Sequence, residues 1–79
     1  MSKKDKYKEI FMNSLSIKDQ NKVENLKYNE IDEWDSIGHM TLISNLEKKF
    51  KITIETDDIV DFSSFKKGKE ILSKYKIKI

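Results

Sequence analysis

The sequence lacks cysteine and proline, has only two glycines, and contains no long hydrophobic run. Without cysteine the chain can form neither a disulfide nor a thiolate metal site. No apolar stretch approaches the roughly 20 residues that a transmembrane helix needs, so we expect no association with a membrane. No signal-type apolar segment follows the lysine-rich N-terminus, which together with the missing cysteine favours the cytoplasm. The scarcity of proline and glycine favours helices joined by polar loops.

The 79 residues suffice for a single domain, residues 1–79, with one modest core. Charge is segregated along the chain although the net charge is only +2: residues 1–29 carry +3, residues 30–61 carry −6 and residues 62–79 carry +5. An acidic middle segment favours docking against basic partner surfaces over binding nucleic acid. The alternative is that these charges only solvate the surface.

A first helix is predicted to begin after the capping residue Ser2 and to end near Asn13 or Ser14. Residues 15–34 lack a sustained apolar period, which predicts a long ordered loop with at most a short turn of helix around residues 19–25. Residues 51–55, KITIE, alternate like a strand but have no obvious partner. We interpret them as a connector whose isoleucines lie under the core.

A second helix is predicted from Asp35 or Ser36, a short one capped by Thr56, and a last one capped by Ser63 or Ser64. The predicted fold is therefore all-α: a small four-helix bundle with three main helices, one short helix and a long first loop. The large apolar residues of these elements are the core candidates: Phe11, Leu15, Leu42, Leu46, Phe50, Ile59, Phe62, Phe65, Leu72 and Tyr75.

Catalytic and metal chemistry find little support in the sequence. His39 is the only histidine, so a nucleophile–base pair would have to join it to Ser36, with neither a third orienting group nor an oxyanion hole evident. The acidic stretch ETDDIVD lacks the spacing and the central glycine of a calcium loop. The C-terminal lysines lack the interleaved aromatic residues of single-strand binders. We expect neither an enzyme nor a metal site, and no nucleic-acid partner.

Ser36 is better interpreted as a residue that is acted upon. At a helix N-terminus, backbone N–H groups and the positive end of the helix dipole favour a phosphate. Asp35 beside it can cap the helix or share a divalent ion with the phosphates of a modifying enzyme. The alternative is that Ser36 itself only caps the helix.

The segment DSIGHMTLISNLEKKFKI, residues 35–52, resembles the acyl carrier protein family. That family's signature is Asp-Ser followed by a large aliphatic residue at the start of the second of four helices. Asp35, Ser36 and Ile37 match it, with isoleucine where leucine is usual. The segments LEKKFKITI, ETDDI and FSSF follow the family's layout in order, as do the first helix and the long loop. The resemblance covers nearly the whole chain.

The resemblance implies a discrete carrier on which a phosphopantetheinyl transferase attaches 4′-phosphopantetheine from coenzyme A to Ser36, using magnesium. The thiol of this arm would hold an acyl or aminoacyl group as a thioester, so the sulfur that the chain lacks would be imported. Asp35 would assist metal or transferase engagement, and Ile37 would contact the transferase. The partners would be the transferase and the acyl-loading and acyl-receiving enzymes, and we expect a monomer.

The second helix departs from carriers of fatty acid biosynthesis, which are rich in glutamate there. His39, Thr41 and Asn45 stand on this helix, and Glu47 is followed by two lysines. The combination of EWDS with GHM looks more like carriers of specialised pathways, such as polyketide, nonribosomal-peptide, cell-envelope or sugar-decorating ones. D-alanyl carriers share the fold and remain an alternative.

Trp34, Met40 and Glu47 are the predicted partner contacts. Trp34 is alternatively a core anchor, because buried aromatic area dominates core energetics, and Met40 is alternatively core filler. The alternative function is a non-carrier helical interaction module or a basic-tailed nucleic-acid binder. A crevice between helices is expected to hold the acyl cargo, with four apolar residues in its lining: Met40, Ile43, Ile59 and Phe62.

Overall fold

The computed structural model describes residues 2–79, and about 60% of the chain is helical. No strand occurs in this range, where an isolated antiparallel bridge joins Lys27 to Ser64. The all-α prediction is confirmed, and the short helical turn expected within the first loop is α2. Along residues 2–79 five helices follow one another: α1 (Lys3–Ser14), α2 (Gln20–Val23), α3 (Ser36–Phe50), α4 (Thr56–Asp61) and α5 (Phe65–Lys74).

Side-chain caps explain where the three longer helices begin. Ser2, Asp35 and Ser64 each accept a hydrogen bond from the backbone N–H three residues further on, at 3.2, 2.8 and 2.9 Å. The short α4 differs, because its N-cap is Glu55, whose side chain makes no capping hydrogen bond. The prediction that Thr56 caps this helix is wrong: the extended backbone reaches Glu55, and Thr56 is already helical.

One hydrophobic core joins the helices to the first loop and the C-terminal segment. Phe11 lies near its centre, with ring centroids 4.9 Å from Phe65, 5.3 Å from Trp34 and 5.9 Å from Phe62. Seven of the ten predicted core residues are buried, while Phe50, Ile59 and Tyr75 are half-buried at the edge of the core. The buried apolar set is Tyr7, Ile10, Phe11, Leu15, Val23, Leu26, Trp34, Leu42, Ile43, Leu46, Ile54, Phe62, Phe65, Ile71, Leu72 and Ile77.

The long first loop is fastened to the connection between α4 and α5. Tyr28 donates its backbone N–H to the Ser63 carbonyl at 2.8 Å, and Phe65 donates to the Leu26 carbonyl at 2.9 Å. Leu26 is also buried in the core. This attachment holds the end of the loop in a fixed position ahead of α3. Within residues 2–79, no helix has the length and apolar character to cross a bilayer.

Candidate functional site around Ser36

Ser36 is the first residue of α3 and is exposed to solvent. The residue before it, Asp35, has an extended backbone (φ −101°, ψ −166°), and its Oδ1 accepts a hydrogen bond from the Gly38 N–H at 2.8 Å. Because the aspartate caps the helix, the serine hydroxyl is not needed as a cap. The interpretation in which Ser36 merely caps α3 is therefore wrong. Its Oγ instead lies 3.4 Å from the Tyr28 hydroxyl oxygen, a long contact for two hydroxyl groups.

The backbone at this helix start presents hydrogen-bond donors towards Ser36. The first N–H groups of an α-helix have no acceptor within the helix. In α3, the Gly38 N–H binds the Asp35 carboxylate, and the His39 N–H binds the Asp35 carbonyl at 2.8 Å. The N–H groups of Ser36 and Ile37 remain at the positive end of the helix dipole, where an anion is favoured. The helix start can thus receive a phosphate on Ser36.

Trp34 and His39 form a polar link within the core beside the site. The Trp34 side chain is 0% exposed, and its Nε1–H donates to His39 Nδ1 at 2.9 Å. The other ring nitrogen, Nε2, lies 2.8 Å from the Ile59 carbonyl oxygen. An indole N–H can only donate, so Nδ1 must be unprotonated and Nε2 must carry the proton that binds the carbonyl. His39 is therefore the neutral Nε2–H tautomer, and it joins the end of the first loop to α3 and α4.

This link also settles what His39 does for Ser36. Both ring nitrogens are hydrogen-bonded to other residues, so neither is available to take a proton from the Ser36 hydroxyl in this arrangement. His39 itself is half-buried on the flank of α3. Its pairing with Trp34 was not predicted, and the spacing i, i+5 across a helix start gives no sequence signal for it.

The three predicted partner contacts lie in different environments. Trp34 as a partner contact is wrong, because its side chain is fully buried against Phe11 and His39 and presents no surface. Met40 is 53% exposed and is accessible to a partner. Glu47 is half-buried, and its Oε2 accepts a hydrogen bond from the Ile54 N–H at 2.8 Å, which holds the connector after α3. Partner contact by Met40 and Glu47 stays a prediction.

Exposed apolar side chains lie on two sides of Ser36. Ile37, which is 78% exposed, and Met40 line a shallow groove along α3 that also includes Ser36 and has a volume of about 520 Å³. We call it the α3 groove. On the other side, Tyr28 is 40% exposed and Val60 76%. These two residues border a smaller hollow of about 280 Å³, which we call the α4 hollow; its lining is Tyr28, His39, Ile59, Val60, Phe62 and Ser63.

The predicted cargo crevice is wrong in its composition. Met40 lines the α3 groove, whereas Ile59 and Phe62 line the α4 hollow. Ile43, the fourth predicted residue, is 1% exposed and is part of the core. Between the two surfaces, the hydrogen bond from His39 to the Ile59 carbonyl joins α3 to α4. The four residues therefore do not surround one cavity.

α4 is held against the end of α5 by a cluster centred on Asp58. Its Oδ2 accepts a hydrogen bond from the Tyr75 hydroxyl at 2.6 Å, and its Oδ1 accepts one from Lys74 Nζ at 2.9 Å. The Tyr75 oxygen in turn accepts the Glu55 N–H at 2.9 Å. The bond from Tyr75, followed by that from Lys74, holds the pKa of the Asp58 carboxyl below its ordinary value. The end of α5 thereby fixes α4 next to the site.

Comparison with known proteins finds no family model, no curated protein and no solved structure that matches this chain. Within residues 2–79, no group of three or more His, Cys, Asp or Glu side chains is placed to hold a metal ion. The functional interpretation therefore depends on the resemblance seen in the sequence and on the geometry around Ser36.

Proposed function

We propose that this protein is a discrete acyl carrier protein, not an enzyme, that carries acyl or aminoacyl groups on a 4′-phosphopantetheine arm attached to Ser36. The strongest support is that the two neighbouring polar side chains at the start of α3 have different roles. Asp35 caps the helix, and the exposed Ser36 hydroxyl beside it is left free to react. We further propose that α1, α3, α4 and α5 correspond to the four helices of the carrier bundle, with α2 as an addition within the first loop.

The arm would be attached by a transferase that uses coenzyme A and magnesium. The Ser36 oxygen forms a bond to the phosphorus nearest the pantetheine, the bond from that phosphorus to the nucleotide portion breaks, and the hydroxyl proton leaves with a base of the transferase. The phosphodiester then bears one negative charge at the N-terminus of α3, where free N–H groups and the helix dipole favour it. Asp35 is exposed, so it can assist metal or transferase engagement while it caps α3.

Partner enzymes would approach the same end of the molecule. Ile37 and Met40 offer exposed apolar surface next to the attachment point, and Ile37 would contact the transferase. Asp32, Glu33 and Asp35 are exposed just before α3 and supply negative charge that favours a basic partner surface. His39, Thr41 and Asn45 of α3 differ from the glutamate-rich second helix of fatty-acid carriers, which favours a specialised biosynthetic pathway over primary fatty acid biosynthesis.

Loading with a phosphopantetheinyl transferase of broad specificity tests the proposal. Incubation with coenzyme A and magnesium should raise the intact mass by one phosphopantetheine, and Ser36→Ala should abolish the increase. Ser44→Ala is the matched control, because Ser44 is an exposed serine on the same helix and should not affect loading. A wild-type chain that stays unmodified, or loading that persists in Ser36→Ala, would contradict the proposal.

A further inference from the structure

Tyr28 is an exposed aromatic residue that is held by contacts with several other residues. Its backbone N–H binds the Ser63 carbonyl at 2.8 Å. Its ring packs edge-on against Trp34, with centroids 6.1 Å apart, and against His39, with centroids 5.2 Å apart. These contacts come from three different parts of the chain, so the ring has little freedom to move. Its hydroxyl is held beside the Ser36 Oγ, 3.4 Å away.

The distance between the two hydroxyl oxygens is informative. Two hydroxyls that bind one another well lie about 2.7–2.8 Å apart, so at 3.4 Å the pair is loosely bonded and gains little. A phosphodiester on Ser36 changes the situation, because its two non-bridging oxygens project beyond Oγ and share a negative charge. A hydroxyl that donates to a charged oxygen forms a shorter bond of about 2.5–2.7 Å, roughly twice as strong as a neutral one. Because these oxygens project beyond Oγ, one of them can reach the Tyr28 hydroxyl, which lies only 3.4 Å from Oγ itself.

The electrostatic surroundings make a neutral donor useful here. The Asp35 carboxylate and the other exposed acids before α3 repel a phosphodiester, whereas the helix N-terminus attracts it. A phenol hydroxyl adds a donor without adding a charge that would pair with those acids. Tyr28 also borders the α4 hollow, so a bond to its hydroxyl would draw the root of the arm to that side of Ser36.

We propose that Tyr28 is a positioning residue whose hydroxyl donates a hydrogen bond to a non-bridging phosphodiester oxygen on modified Ser36. This inference rests on the proposed carrier function. The bond directs the arm over the α4 hollow and away from the α3 groove, which leaves Ile37 and Met40 free for partner enzymes. Tyr28 thus determines on which side of Ser36 the arm lies, and it takes no part in the transfer reaction.

The test compares the ³¹P resonance of the phosphopantetheine-loaded wild type with that of two loaded variants. Tyr28→Phe keeps the ring packing against Trp34 and His39 and removes only the hydroxyl. Thr41→Val is the control, because it removes a hydroxyl from α3 that is already bound to the Ile37 carbonyl at 3.1 Å. The difference between the folded and urea-unfolded resonance positions should at least halve in Tyr28→Phe and stay unchanged in Thr41→Val.

Two outcomes would overturn the inference. One is a ³¹P resonance in folded Tyr28→Phe that equals the wild-type one. The other, which needs no variant, is the absence of nuclear Overhauser contacts between the Tyr28 ring protons and the first methylene of the arm in the loaded wild type. Mass measurement separates these results from failure of the carrier proposal. A wild-type chain that cannot be loaded overturns both the carrier function and the role of Tyr28. A loaded chain whose resonance is unaffected by Tyr28→Phe overturns only the role of Tyr28.

Discussion

The hydrogen bond between Trp34 and His39 yields a quantitative prediction about the scaffold behind Ser36. His39→Phe keeps an aromatic ring among Tyr28, Trp34 and Phe62, whose centroids lie 5.2, 6.2 and 6.0 Å from that of the histidine. It removes both polar contacts of the imidazole, to the Trp34 indole and to the Ile59 carbonyl. The change therefore isolates the hydrogen bonding of this position from most of its packing.

The expected loss follows from the number of groups left without partners. Each hydrogen bond contributes about 1 kcal/mol net, and a buried donor left unpaired, here the Trp34 N–H, costs about 1–3 kcal/mol. Because these effects overlap, we expect His39→Phe to lower the free energy of unfolding by about 2–4 kcal/mol. A domain of this size is stable by about 4–12 kcal/mol, so the variant should still fold. Its melting temperature should fall by about 10–25 °C.

A double-mutant cycle shows whether the loss comes from this bond. Trp34→Phe removes the donor and leaves His39 Nδ1 without its hydrogen-bond partner. The double variant lacks both the indole N–H and the imidazole, so neither is left unpaired. The His39 bond to Ile59 is lost with or without the tryptophan, so it cancels from the cycle. Urea unfolding of the four chains should give a coupling free energy of about 1–2 kcal/mol, within the range found for residues in contact. If the two single losses simply add, the bond does not stabilise the fold and the reasoning fails.

Two further predictions concern the packing of α5 against the rest of the molecule. Gly68→Ala should lower the free energy of unfolding by about 1–3 kcal/mol in urea titrations, because the added methyl group would collide with two buried aromatic side chains. The exposed Ser73→Ala should not lower it, and a stabilised Gly68→Ala would refute the close packing. Asp58→Asn tests the cluster with Tyr75 and Lys74. The pKa of Asp58 is lower in the folded protein than in the unfolded chain, so the ionised carboxylate stabilises the fold. This stabilisation is complete above the ordinary pKa of about 4 and is lost as the pH falls through the lowered value. Unfolding free energies should therefore differ most between wild type and Asp58→Asn near neutral pH and converge in acid, and a gap that persists undiminished to about pH 2 would refute this.

Much of the helical layout was predictable because it depends on local patterns. The apolar residues of α1 and α3 recur at helical spacing. Ser2 and Ser64 are good capping residues, and they directly precede α1 and α5 respectively. The exposed position of Ser36 at the start of α3 follows from the same kind of signal. Local signals also failed where two neighbouring residues compete, since Thr56 is a better capping type than Glu55 and yet Glu55 is the N-cap.

The packing of the first loop could not be predicted, because it depends on contacts between distant parts of the chain. Val23 and Leu26 are scattered among polar residues without a period, yet both are buried; for Trp34 the alternative of a core anchor is confirmed. Their burial is produced by α1 and α5, which lie on either side of the loop in sequence. Ile77 is buried for the same reason, whereas the burial of Ile54 confirms the prediction that the isoleucines of the connector lie under the core.

The candidate site itself results from this long-range packing as much as from the Asp-Ser pair. Either Asp35 or Ser36 has a side chain suited to cap α3, and the one that caps is the one whose backbone is extended at the helix start. Trp34 fixes the chain immediately before residue 35, because its ring is buried in the core. Its backbone N–H also donates to the Ile31 carbonyl, and its carbonyl accepts the Asn29 N–H, which closes the loop at this point. The helix begins at Ser36, which leaves the aspartate as cap and keeps the serine hydroxyl out of the capping bond. A residue buried in the core thus determines which of two neighbouring polar side chains accepts the capping bond.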